Sequence, residues 1–202
     1  LSHVVDVSAG SYHCLAVTSD GSVHSWGAGG CGVLGHGDEE DVGAPRRIED
    51  PALEGVRIVR VAAGYGNSMA VSEGGRLFVW GKVSEGRTQQ HVWLGLGDQV
   101  NEVGQVWVPT LVEGVEGVVD CATGLFHSLL STRDGTVMSF GSCGVEGDDW
   151  GEGGDGPIDG RLGLGPNVGR SPMPTAIEGL AVDPPPPPPT PAAATNAASK
   201  QT

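Results

Sequence analysis

The side chains with most chemical capacity here are six histidines, four cysteines and a run of carboxylates. His13 and His127 sit at matching places in two similar stretches, GSYHC and GLFHS. A histidine that recurs with a repeat is expected to hold a turn through a ring N–H, not to shuttle protons or bind metal. His36 stands where other copies of its motif carry Leu, so it is not required there. Ser, His and Asp are all present, but no GxSxG nucleophile elbow is found. GAGGCG at 27–32 has the glycines of a phosphate-cradling loop, yet lacks its Lys and the helix that should follow, so it is expected to be a turn. The stretch 142–161 carries Glu146, Asp148, Asp149, Glu152, Asp155 and Asp159. Clustered carboxylates suit Ca²⁺, but the spacing fits no EF-hand, and so many glycines point to a solvated acidic loop. Cys14, Cys31, Cys121 and Cys143 form no CxxC pair and no zinc spacing. Free thiols in a reducing intracellular setting, cytoplasmic or nuclear, are expected, although a Cys31–Cys143 disulfide is left open. No catalytic residue, cofactor or metal site is expected.

What positions these residues is a repeat. GSYHCLAVTSDGSVHSWG at 10–27 returns as GYGNSMAVSEGGRLFVWG at 64–81 and as GLFHSLLSTRDGTVMSFG at 124–141. In each copy the first Gly lies sixteen residues before an aromatic that precedes the last Gly. The anchors are Gly10, His13, Trp26 and Gly27; Gly64, Asn67, Trp80 and Gly81; and Gly124, His127, Phe140 and Gly141. Three strands per copy are predicted: a β-prone run such as Val4–Val7, a largely apolar run such as His13–Val17 expected to be buried on both faces, and a run ending in the aromatic. Asp20-Gly21, Glu73-Gly74-Gly75 and Asp134-Gly135 predict hairpins of type I′. An LGxG signature follows at 34–37, 94–97 and 162–165, and Pro45, Pro109 and Pro174 introduce a closing strand. Three or four antiparallel strands per copy are what one propeller blade contains.

The ordered set VxxVxxGxxH, DGxVxxWG, LGxG and Pro resembles the repeat of the regulator of chromosome condensation family. The resemblance covers about residues 3–180, with Asn67 and Phe140 as departures from His and Trp. It implies an all-β fold, a partial propeller of about three four-stranded blades cut from a ring that in this family has seven. The expected organisation is blades at about 1–57, 58–117 and 118–180, then a proline-rich and Ala/Ser/Thr-rich disordered tail at 181–202. Further repeats are expected upstream, and Leu180-Ala181-Val182 reads as the start of another first strand.

The gap between the aromatic and LGxG grows from 8 to 14 to 22 residues, always at the same connection, so the insertions should share one rim. Arg87, His91 and Trp93 in one loop, and Asp148, Asp149 and Trp150 in the next, are the candidate partner-binding residues. A net charge of −14 argues against direct nucleic-acid binding. No apolar run is long enough to span a bilayer. Pro184–Pro189 should adopt polyproline II, a stiff linker or a ligand (184–191) for a proline-recognising domain. The function expected is a protein–protein interaction scaffold. The resemblance adds an alternative, guanine-nucleotide exchange on a Ran-like small GTPase, since the founding member is a chromatin-bound exchange factor. The plant ultraviolet-B receptor shares the repeat class, but its Gly-Trp-Arg-His-Thr motif is absent here.

Overall fold

A computed structural model describes residues 1–82, 94–97, 105–142 and 160–183. The strands are β1 (Val4–Ala9), β2 (His13–Thr18), β3 (Val23–Gly27), β4 (Val42–Arg47), β5 (Ile58–Ala63), β6 (Asn67–Ser72), β7 (Leu77–Lys82), β8 (Gln105–Leu111), β9 (Val118–Thr123), β10 (His127–Thr132), β11 (Thr136–Ser142) and β12 (Arg170–Ala181). They form three four-stranded antiparallel meanders, β1–β4, β5–β8 and β9–β12, each in sequence order. The fold is all-β, and each sheet is a propeller blade.

Alternation along each strand sends side chains to two faces, and both faces of the middle blade are covered. Leu15, Val17, Val23 and Ile48 of the first blade pack with Ile58, Val61, Ala63, Ala70, Phe78 and Trp80 of the second. Met69, Val71, Leu77 and Val79 of the second pack with Val118, Leu130 and Phe140 of the third. All six residues of β6 are buried as a result. Burial on both faces does not hold for β10, where Leu129 is 37 % exposed. The physical reason is that no described blade covers that side of the third sheet.

The hairpins lie where Asp-Gly placed them, but they are not type I′. Only the glycine has positive φ: Gly21 (86°), Gly75 (82°) and Gly135 (90°). Gly21 N–H donates to Thr18 C=O, and Thr18 N–H to Ser22 C=O. This is the three-residue loop in which a turn with negative φ at its centre is followed by a left-handed glycine bulge. The Asp side chain favours it. Asp20 Oδ1 accepts from Thr18 Oγ1 at 2.6 Å and from Ser22 N–H at 3.1 Å, and Asp134 repeats both contacts with Thr132 and Thr136. These hydrogen bonds hold the Asp20 carboxyl down at about 2.

The blades are chained by one repeated bond. Ile58 N–H donates to Gly21 C=O, Val118 N–H to Gly75 C=O, and Val182 N–H to Gly135 C=O. Val182 therefore makes the bond that Ile58 and Val118 make as the first residues of β5 and β9. Leu180 and Ala181, expected to open a new strand, instead finish β12, where Ala181 pairs with Thr136.

Candidate functional site

Four of the repeat's anchors, His13, Asn67, Trp80 and Phe140, work across a blade boundary. The β1–β2 turn is closed by the backbone, Gly10 N–H to His13 C=O, with matching bonds at Gly64 and Gly124. His13, expected to hold that turn, instead reaches the next blade: its Nε2 lies 2.8 Å from Ser68 Oγ. Ser68 Oγ already donates to Val33 C=O at 2.7 Å, so it accepts from His13, and the imidazole is the neutral Nε2–H tautomer. Burial pushes the His13 pKa down to about 4. A neutral ring packed against Gly10 offers neither a base nor a metal ligand to solvent. In the second blade Asn67 takes this place, and its amide exchanges hydrogen bonds with Thr123 Oγ1 of the third, Nδ2 donating at 2.8 Å and Oδ1 accepting at 3.0 Å. His127 packs its ring beside Gly124.

The aromatics do the same in the opposite direction. Trp80 is fully buried and its Nε1–H donates to Val33 C=O of the first blade at 2.7 Å. A Cβ on Gly35 of LGHG would lie 2.9 Å from Trp80 Nε1, and one on Gly95 of LGLG 2.9 Å from Phe140 Cε2. The LGxG turn is thus a cradle for the next blade's ring. Trp26, in the first blade, is only half-buried. The following Gly27, Gly81 and Gly141 share φ values of 114°, 105° and 113°, which fold the chain back against the β1–β2 turn of the same blade.

That fold-back fixes where the insertion loops begin. Ala28 N–H donates to Tyr12 C=O, Lys82 N–H to Gly66 C=O and Ser142 N–H to Phe126 C=O. All three connections therefore leave from the turns that carry Tyr12, Tyr65, Leu125 and Phe126. Tyr12, Tyr65 and Leu125 are 65 %, 47 % and 46 % exposed, and the two tyrosines meet edge to face with centroids 5.8 Å apart. They border a pocket of about 260 Å³, lined also by Cys31, Val33, Lys82 and Phe126. Beside it, Asp41 Oδ1 accepts from Gly29 N–H at 2.9 Å, placing the acidic run Asp38–Asp41 near the rim. Burial pushes the Cys31 thiol up.

Arg87, His91, Trp93, Asp148, Asp149 and Trp150, Cys143 and the proline run lie outside the described residues. Among the described residues no cluster of three or more His, Cys, Asp or Glu could hold a metal, and no helix is long and apolar enough to cross a membrane. The rim aromatics were missed in the sequence because Tyr12 stands two places after its glycine and Tyr65 only one. The available signal was apolar bulk at the loosely repeated positions between Gly and His or Asn.

Comparison with known proteins agrees with this architecture. A sequence model of the Regulator of chromosome condensation (RCC1) repeat matches residues 20–71, and a second model of that repeat matches 4–33 and 58–87. The chain is 40 % identical over 160 residues to E3 ubiquitin-protein ligase HERC2 of Homo sapiens, covering 77 % of this chain and 3 % of HERC2. It is 38 % identical over 140 residues to the Ultraviolet-B receptor UVR8 of Arabidopsis thaliana, covering 68 % of this chain and 29 % of UVR8. Prp20p of Saccharomyces cerevisiae, whose crystal structure was described with its binding to Gsp1p and histones, superimposes with a TM-score of 0.67 at 28 % identity, over 88 % of this chain and 39 % of that one. The chain thus spans well under half the length of each of these proteins. Its three blades, their ordered submotifs and these likenesses together place the chain in the regulator of chromosome condensation repeat family.

Proposed function

We propose that this chain is a protein–protein interaction module and that its partner sits on the loop-bearing rim. The observation that carries this is the tethering of all three loop connections to the turns bearing Tyr12, Tyr65 and Phe126 around one pocket. Exposed tyrosines offer large contact area at low entropic cost, and a clustered apolar patch in a chain of charge −14 needs a use. The acidic flank favours a partner whose apolar anchor is bordered by basic residues.

The test is site-specific photo-crosslinking with a benzophenone side chain at position 12 or 65, against position 22 on the hairpin side as control. Crosslinks to a partner should form from 12 and 65, weaken on Tyr→Ala at the other site, and be sparse from 22. Equal or stronger capture from 22 would move the binding surface to the other end of the blades.

A second reading, nucleotide exchange on a small GTPase, draws on the likeness to Prp20p alone. Accelerated release of labelled GDP from a Ran-like GTPase by the protein would support it, and an unchanged release rate would remove it.

A further inference from the structure

The pocket bordered by Tyr12 and Tyr65 is one-sided in its hydrogen bonding. Several of its carbonyls are already used within the fold. Tyr12 C=O accepts from Ala28 N–H, Gly66 C=O from Lys82 N–H and Phe126 C=O from Ser142 N–H, while Val33 C=O takes both Ser68 Oγ and Trp80 Nε1. The free polar groups of its side chains are donors. Neither tyrosine hydroxyl has a hydrogen-bond partner among the described residues, and the Lys82 ammonium has no carboxylate within ion-pair reach among them. Leu125, Phe126 and Val33 make the rest of the wall apolar.

A peptide bound there meets donors and apolar surface but few acceptors. An ordinary backbone would take its N–H groups out of water without replacing their hydrogen bonds, which is costly. A proline segment has no N–H to lose, and its carbonyls are acceptors throughout. It also adopts polyproline II before binding, so little order has to be imposed. The rings suit that shape. Tyr12 and Tyr65 meet at 65° with centroids 5.8 Å apart, and two residues of polyproline II advance about 6 Å, so prolines two apart reach one ring each. Other modes of peptide recognition fit less well. Strand addition needs an open ladder edge, whereas the turns bearing these side chains are closed by Gly10, Gly64 and Gly124 N–H on His13, Asn67 and His127 C=O. A helix needs a groove several turns long, and this pocket holds about 260 Å³. Charge adds a further requirement. Asp41 Oδ1 accepts from Gly29 N–H, one residue before the pocket's Gly30 and Cys31, which brings the acidic run Asp38–Asp41 to that end. A Lys or Arg beside the prolines complements it.

We propose that this pocket receives a proline-rich segment of a partner protein in polyproline II conformation, with a Lys or Arg next to the prolines lying against Asp38–Asp41. The inference rests on the rim reading given above and supplies the chemistry of its partner. Tyr12 and Tyr65 pack on the pyrrolidine rings and donate their hydroxyls to the segment's carbonyls, and Lys82 is a further donor to them. The chain's own Pro184–Pro189 run has no basic neighbour, since the first Lys or Arg after it is Lys200. The occupant is therefore assigned to a partner and not to this run.

The experiment is fluorescence anisotropy of the full 202-residue chain with a fluorescein-labelled peptide, Arg-Pro-Leu-Pro-Pro-Leu-Pro, with circular dichroism as the fold control. Binding should be saturable and should vanish when every proline of the peptide is replaced by alanine. Replacing the peptide's Arg by Glu should weaken it by about tenfold. Tyr12→Phe combined with Tyr65→Phe keeps both exposed rings and removes only the hydroxyls, and should also weaken binding by about tenfold. Changing Pro184–Pro189 to serine should leave the affinity as it is; a large gain would give the pocket to the chain's own run and overturn the assignment to a partner. No binding, or binding indifferent to the prolines or to the paired Tyr→Phe change, would overturn the proposal outright. The benzophenone crosslinks from positions 12 and 65 separate this failure from failure of the rim reading. A partner captured there that excess peptide does not displace sinks the proline assignment and leaves the rim in place, whereas no capture from either position counts against the rim itself.

Discussion

The His13–Ser68 bond makes a pH experiment decisive for how the first two blades are joined. The ring is buried, neutral and carries its proton on Nε2, and its pKa is lowered from 6.5 to about 4 by burial. A histidine lowered in the folded state contributes stability that is fully present above the unfolded pKa and lost as pH falls toward the folded one. The window is therefore pH 6.5 down to about 4. The span of roughly 2.5 units, at about 1.4 kcal/mol each, corresponds to about 3.5 kcal/mol, most of it lost across that window. The chain itself supplies the control, since its second blade uses Asn67 at this position. His13→Asn should lose about 1 kcal/mol at neutral pH, because Ala63 stands where Thr123 would receive the amide. It should then lose less on acidification, so the two stability curves cross between pH 6.5 and 4. Urea denaturation midpoints of the full chain at half-unit pH steps measure this. His24 and His36, also lowered by burial, and Asp20 and Asp134, lowered by their turn hydrogen bonds, are common to both proteins and cancel in the difference. Parallel curves over the whole window would refute the buried neutral tautomer and the cross-blade role built on it.

Two further substitutions probe the joints. Trp80→Phe keeps a ring, as Phe140 does one blade on, but loses the Nε1–H bond to Val33 C=O; thermal unfolding should show a cost of about 1 kcal/mol, against about 3–5 kcal/mol for Trp80→Ala. Gly21→Ala should cost at least about 1–2 kcal/mol by the same assay, since φ is 86° and the new methyl would come within 2.7 Å of Arg57 Cα, whereas Ser19→Ala in the same turn should be close to neutral.

What could be read from the sequence, and what could not, follows from how a blade is made. Gly, Asp-Gly, the aromatic and LGxG each solve a local problem that every blade meets, so they recur and stand out. The partners those residues choose do not recur at fixed spacing within a repeat. His13 meets Ser68, 55 residues away, and Trp80 meets Val33, 47 residues back. Neither Ser68 in its strand nor Val33 in its turn looks unusual. The hairpins show a subtler limit. Asp-Gly is compatible with two loop geometries, and Thr18 and Thr132, whose hydroxyls donate to the Asp, coincide with the one-glycine form. Tyr12, Tyr65 and Leu125 escaped notice for the opposite reason: their neighbours repeat and they do not. A blade surface has to satisfy its neighbouring blades at some positions and is free elsewhere. Exposed bulk at the free positions, tied by the backbone to the same turns from which the loops depart, is where a repeat protein can acquire a partner of its own without disturbing the joints.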